Sequence, residues 1–73
     1  MATQTFTLTS DYIELDKLLK VLAIASSGGA AKAMVAEGLV TVDGEIELRK
    51  TRKLRAGSRV EAAGEVIDVV AGA

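Results

Sequence analysis

Polar and apolar residues alternate in "TQTFTL", positions 3–8, so that Phe6 and Leu8 fall on one face and Thr5 and Thr7 on the other. That is the period-2 pattern of a half-buried strand. From Leu15 the period changes: Leu15, Leu18, Leu19 and Leu22 recur at i, i+3, i+4 and i+7, one apolar stripe on a helix, with Lys17 and Lys20 opposite it. Glu14 and Asp16 lie near the first turn, where a carboxylate favours the positive end of the helix dipole. "ASSGGAAKAMVAEG" predicts a second helix over Ala30 to Glu37, with Ser26 or Ser27 as N-cap and Gly38 as the left-handed residue that ends it. Only a few residues join the two helices, which predicts a tight helix–turn–helix.

The strongest local signal is "LVTVDGEIEL". Leu39 to Val42 and Glu45 to Leu48 are β-rich runs flanking Asp43-Gly44, a preferred pair for a two-residue type I′ turn. Beyond the next segment, "AGS" at 56–58 predicts a turn, Arg59 to Ala62 a short strand, Ala63-Gly64 another turn, and Glu65 to Val70 a last strand. The terminal "AGA" is expected to fray. The pattern predicts an α+β fold, two short helices packed on a small, mostly antiparallel sheet with a central hairpin. At 73 residues the chain is close to the lower limit for a core without staples, so 1–73 is expected to be one domain.

Composition narrows the chemistry. There is no cysteine and no histidine, which removes disulfides, thiolate clusters, the commonest metal ligand and the commonest general base near neutral pH. With one tyrosine, one phenylalanine and no tryptophan, the core must come from Leu, Val, Ile, Met and Ala, and aromatic platforms for stacking bases are scarce. That counts against an RRM or cold-shock reading. "MATQTFTLTS" lacks the basic region and apolar run of a secretory signal, and no segment approaches the roughly 20 apolar residues of a membrane span. A cytoplasmic protein with no membrane partner is expected.

Charge is uneven. The formal net charge is −1, yet Arg49, Lys50, Arg52, Lys53, Arg55 and Arg59 crowd one acid-free window, against Lys17, Lys20 and Lys32 elsewhere. As a regular strand this run would put Arg49, Thr51, Lys53 and Arg55 on one face and Lys50, Arg52 and Leu54 on the other. Neither face is apolar, which predicts an irregular, exposed loop or edge. Crowded cations repel unless something anionic neutralises them, and a charged edge that blocks strand pairing is the other reading. "SSGGAAK" is a second candidate anion site: a helix start aims free amides outward, its glycines carry no side chain to hold a phosphate off, and Lys32 lies one turn in. Turn chemistry explains those glycines equally well.

Catalytic readings have little support. Ser26, Ser27 and Lys32 lack the desolvated base and orienting partner that activate a nucleophile. Asp11, Glu14 and Asp16 have no Gly-bearing loop of oxygen ligands around them. "SSGG" has neither dinucleotide-loop spacing nor a P-loop ending. The chain is expected to be no enzyme and to need no cofactor, metal or small-molecule substrate.

Positions 14 to 62 carry a resemblance. The "LDKLL" first helix, the serine-capped second helix ending in "EGLVTVDG", and "LRAGSRVEA" in place of the pattern "V..GD.I.V" resemble the S-four RNA-binding domain, the alpha-L motif. With its threonine-rich first strand, the whole chain is most similar to a short stand-alone bacterial branch of that family. The resemblance implies binding of structured RNA, ribosomal or transfer; a monomer is expected. Carried over by position, the contacts are Ser27, Gly28, Gly29 and Lys32 at the second helix and Arg49, Lys50, Arg52, Lys53 and Arg55 beyond the hairpin. Many family members have arginine before "LDK" and arginines in the first turn of the second helix. Here Glu14, Gly28 and Gly29 stand there, so the basic segment must supply more of the affinity. The runner-up is a protein-interaction module whose basic loop meets an acidic partner on a ribosome-associated assembly. A ubiquitin-like sulfur carrier would end in an exposed diglycine, and this chain ends in "AGA".

Overall fold

The structure, a computed structural model, describes residues 2–72. Its elements are β1 (Ala2–Thr7), β2 (Ile13–Glu14), α1 (Leu15–Val21), α2 (Gly28–Ala36), β3 (Val40–Val42), β4 (Glu45–Ile46), β5 (Lys53–Leu54), β6 (Arg59–Ala62) and β7 (Glu65–Val70). The main sheet runs β1-β7-β6-β3-β4. All its pairs are antiparallel except β1 with β7, which run parallel with Phe6 opposite Val69. A separate two-stranded ladder sets Ile13 opposite Leu54 and Glu14 opposite Lys53.

The alternation read in the sequence decides which side of the sheet is covered. Val40, Val42, Val60, Ala62, Ile67 and Val69 turn one way and are buried with Leu8, while Phe6 packs partly against them. Leu15, Leu18, Leu19, Ala31 and Val35 complete this core from the helices, each fully buried. Burial of such side chains stabilises by about 1.5–3 kcal/mol each, so the two leucine-bearing turns of α1 contribute strongly to the fold. Thr5 and Thr7 are exposed, as the alternation requires.

Local signals place the boundaries. Ser27 is the cap of α2: its backbone is extended and its Oγ accepts from Ala30 N at 3.1 Å. The helix therefore starts at Gly28, two residues before the predicted Ala30, because the glycines adopt the helical turn that the cap closes. Gly38, at φ 74°, follows its end. Asp43 and Gly44 both have positive φ, 52° and 87°, as a type I′ turn demands. Asp43 also ties the hairpin to β6, since its amide donates to Arg59 O at 2.7 Å and its Oδ1 accepts from Arg59 N at 2.9 Å. The expected strand over Glu45 to Leu48 is shorter, ending at Ile46, although Glu47 N still donates to Val40 O. Of the tail expected to fray, Ala71 and Gly72 have no regular structure and Ala73 lies outside the described residues.

Candidate nucleic-acid interface

The basic segment leaves the hairpin at Glu47 and does not continue as a strand. A turn intervenes, with Arg52 N donating to Arg49 O at 3.2 Å, before β5 begins at Lys53. That turn resets the alternation, so Leu54 points into the core and is fully buried while Lys53 faces out. The segment is thus the irregular, exposed loop or edge that the sequence predicts, with Leu54 as its one buried anchor.

The backbone of the segment is fixed from a second side. The first amides of a helix have no partner within it. At α1, Leu15 N donates to Arg52 O at 2.9 Å and Asp16 N donates to Lys50 O at 3.0 Å. The carbonyls of the basic run thus close the start of α1, and the side chains of Lys50 and Lys53 project from an anchored backbone into solvent.

One carboxylate organises the two nearest arginines. Glu47 Oε2 accepts from the Arg49 amide at 2.9 Å and from Arg49 Nε at 3.1 Å, while Oε1 accepts from Arg49 Nη2 at 3.1 Å and Arg52 Nη1 at 2.6 Å. The Glu47 side chain is 8% exposed, covered by these guanidiniums, whereas those of Arg49 and Arg52 are 73% and 33% exposed. The hydrogen bonds from Arg49, then those from Arg52, hold the Glu47 carboxyl down at about 2, against an opposing push from burial. Sequence reasoning treated the two arginines as unpartnered cations. Both are oriented by Glu47, and Arg52 is half-buried.

Lys53 and Arg55 share another partner. Lys53 Nζ lies 5.0 Å from the centre of the Tyr12 ring and Arg55 Cζ lies 5.6 Å from it. Cations at such distances are drawn to the electron-rich ring. Tyr12 was missed in the sequence, where nothing local links it to the basic run; the β2–β5 pairing creates the neighbourhood. Arg49, Thr51, Arg52 and Lys53 line one open depression. Arg59, by contrast, turns to the sheet, where its Nε lies 2.8 Å from Asp68 Oδ1, and it leaves the basic cluster.

The start of α2 is differently built. Ser27, Gly29 and Lys32 are exposed and Gly28 is half-buried. A Cβ on Gly28 would meet nothing within 4 Å, and one on Gly29 only Ser27 Oγ at 3.9 Å, so internal packing requires neither glycine. No hydrogen bond or ion pair among the described residues joins this helix start to the basic segment. The structure brings Arg49, Arg52, Lys53 and Arg55 together around Glu47 and Tyr12, and ties Ser27, Gly28, Gly29 and Lys32 to them by no such bond.

The family model of the S4 domain matches residues 6–70. The chain belongs to the S4 domain family. Within that family it is 47% identical over 60 residues to YbcJ of Escherichia coli, the match covering 82% of this chain and 86% of that protein. It matches YbcJ of Shigella flexneri to the same extent. The solution structure of E. coli YbcJ superposes with a TM-score of 0.69 at 45% identity, covering 90% of this chain and 85% of that one. That structure is described as revealing an alpha-L motif involved in RNA-binding. This S4 domain has the two helices and the mostly antiparallel sheet expected of an alpha-L protein. Among its described residues no group of acidic side chains could hold a metal ion, and no helix is long and apolar enough to cross a membrane.

Proposed function

We propose that this S4 domain binds structured RNA, of the ribosomal or transfer class, as a non-catalytic single domain working as a monomer in the cytoplasm. Its main contacts are phosphates met by Arg49, Lys50, Arg52, Lys53 and Arg55, with Ser27, Gly28, Gly29 and Lys32 as a lesser second contact. The observation that carries this reading is the anchored basic segment: its cations project from a backbone fixed by α1 and by Leu54, with Arg49 and Arg52 held in one orientation by Glu47. A surface whose cations are already aimed loses less side-chain freedom when phosphates dock. The Arg49 guanidinium engages Glu47 through Nε and Nη2, which leaves further N–H groups of its fork for an anion. The relative described as involved in RNA-binding supplies the ligand class.

Such contacts fix register and orientation and read little sequence, so the reading favours a shape-selected RNA over a sequence-selected one. Crosslinking in cells, followed by sequencing of the recovered RNA, tests it. Enrichment of ribosomal or transfer RNA is expected. Recovery of protein partners without RNA would overturn the reading in favour of an acidic protein partner at the same segment.

A further inference from the structure

We infer that Tyr12 is the stacking site for one unpaired RNA base, with Lys53 and Arg55 receiving that nucleotide's phosphate. The inference rests on the RNA reading above and adds a subsite to it. The chain has one tyrosine, one phenylalanine and no tryptophan, and Phe6 packs on the core. Tyr12 is therefore the aromatic ring left at the surface, 37% exposed. Its neighbour Ile13 takes the inward position against the core.

The backbone that carries the ring is tied on both sides. Ser10 Oγ donates to Tyr12 O at 2.9 Å on one side, and on the other Ile13 pairs with Leu54, whose burial anchors both strands. The same pairing sets Lys53 and Arg55 near the ring, at 5.0 and 5.6 Å from its centre. Two cations held beside one ring repel each other, and an anion between them relieves that repulsion. A nucleotide brings both complements: a π face for the ring and a phosphate for the cations. Base–aromatic stacking tolerates any base and is stronger than an exposed cation–π contact, so an incoming base can displace a cation onto its own phosphate. Beside the ring lies an open depression lined by Ser10, Tyr12, Ile13, Glu14 and Lys17. It offers the base edge a hydroxyl and the Glu14–Lys17 pair, whose Oε1 and Nζ lie 2.9 Å apart.

The test uses the full chain and two RNA hairpins that differ only in one bulged adenine. Because Tyr12 is the only tyrosine and there is no tryptophan, its intrinsic fluorescence reports this ring alone. The expected result is preference for the bulged hairpin, with quenching by that hairpin and little by the paired one. Tyr12→Leu should lose affinity for the bulged hairpin by on the order of 5- to 100-fold, the range for one lost stack, while its salt dependence on the paired hairpin stays that of the parent. Tyr12→Phe should keep the preference. Equal binding of both hairpins by the parent would overturn the subsite and leave the RNA reading standing. A loss by Tyr12→Leu that is the same on both hairpins would also overturn it, since a ring that only positions Lys53 and Arg55 acts on any phosphate. Failure to bind either hairpin would sink the RNA reading and the subsite together.

Discussion

Lys50 and Lys53 project from a backbone pinned by α1, by the buried Leu54 and by the Glu47 clasp next door, whereas Lys32 projects from an open helix start with glycines before it. The two regions carry the same kind of charge in different mechanical settings. In the basic segment the ordering of backbone and of two arginines has been done by folding, so binding gains more from each contact. At α2 the protein offers free amides, a dipole end and space, which suit a phosphate but do not select where it comes to rest. Under the proposed function, the bulk of the affinity is expected from the segment after the hairpin, with the helix start tuning it.

Removing the clasp should have the largest effect. Glu47→Gln keeps the shape and deletes the charge that orients Arg49 and Arg52, and it should cost about 1–3 kcal/mol at pH 7, between an exposed ion pair and a buried charge-assisted hydrogen bond. The Glu47 pKa is lowered from 4.5 to about 2 on folding. Its contribution is therefore fully present above about pH 4.5 and is lost as pH falls towards 2. Denaturant melts of parent and variant across that window should converge as the pH drops. A gap that is constant down to pH 2 would mean that the carboxylate's charge is not what holds the segment.

A smaller effect sharpens the other side. Gly29→Asp meets only ordinary contact with Ser27 Oγ, and α2 has no acidic residue in its first turn, so the helix dipole should welcome it. Stability should stay the same or rise by up to about 0.5 kcal/mol. RNA affinity should fall several-fold, because the new carboxylate sits where a phosphate would dock. Binding that is undiminished would take the helix start out of the interface and leave both glycines as turn residues.

Much of the fold was legible because its signals are local. The leucine stripe, the serine cap, Gly38 and the Asp43-Gly44 turn each depend on neighbours within a few residues; each stands where the sequence placed it, with Ser27 the cap of the two serines offered. The site was legible only as an inventory of charge. Its organisation depends on events that leave no periodic trace: a turn at 49–52 that resets the strand alternation, and a β2 of only two residues that carries Tyr12 to Lys53. Glu47 looked like one residue of a strand, yet its side chain is claimed by two arginines further along. Arg59 looked like part of the basic run and belongs to a cross-strand pair with Asp68.

Under the proposed function, phosphates dock on the anchored basic segment and do not simply respond to net charge. The most direct measurement is the salt dependence of RNA affinity for Lys50→Ala with Lys53→Ala, against a control of equal charge, Lys20→Ala with Arg59→Ala. All four side chains are exposed, neither Lys50 nor Lys53 is in an ion pair among the described residues, and the Arg59–Asp68 pair lost in the control is an exposed one of small worth, so both variants should stay folded. If each segment lysine neutralises one phosphate, the slope of log K against log salt should become shallower by about 1.4–1.8 in the first variant and hold near the parent value in the control. Equal flattening in both variants would contradict a localised site, and an unchanged slope in both would contradict phosphate binding by this segment.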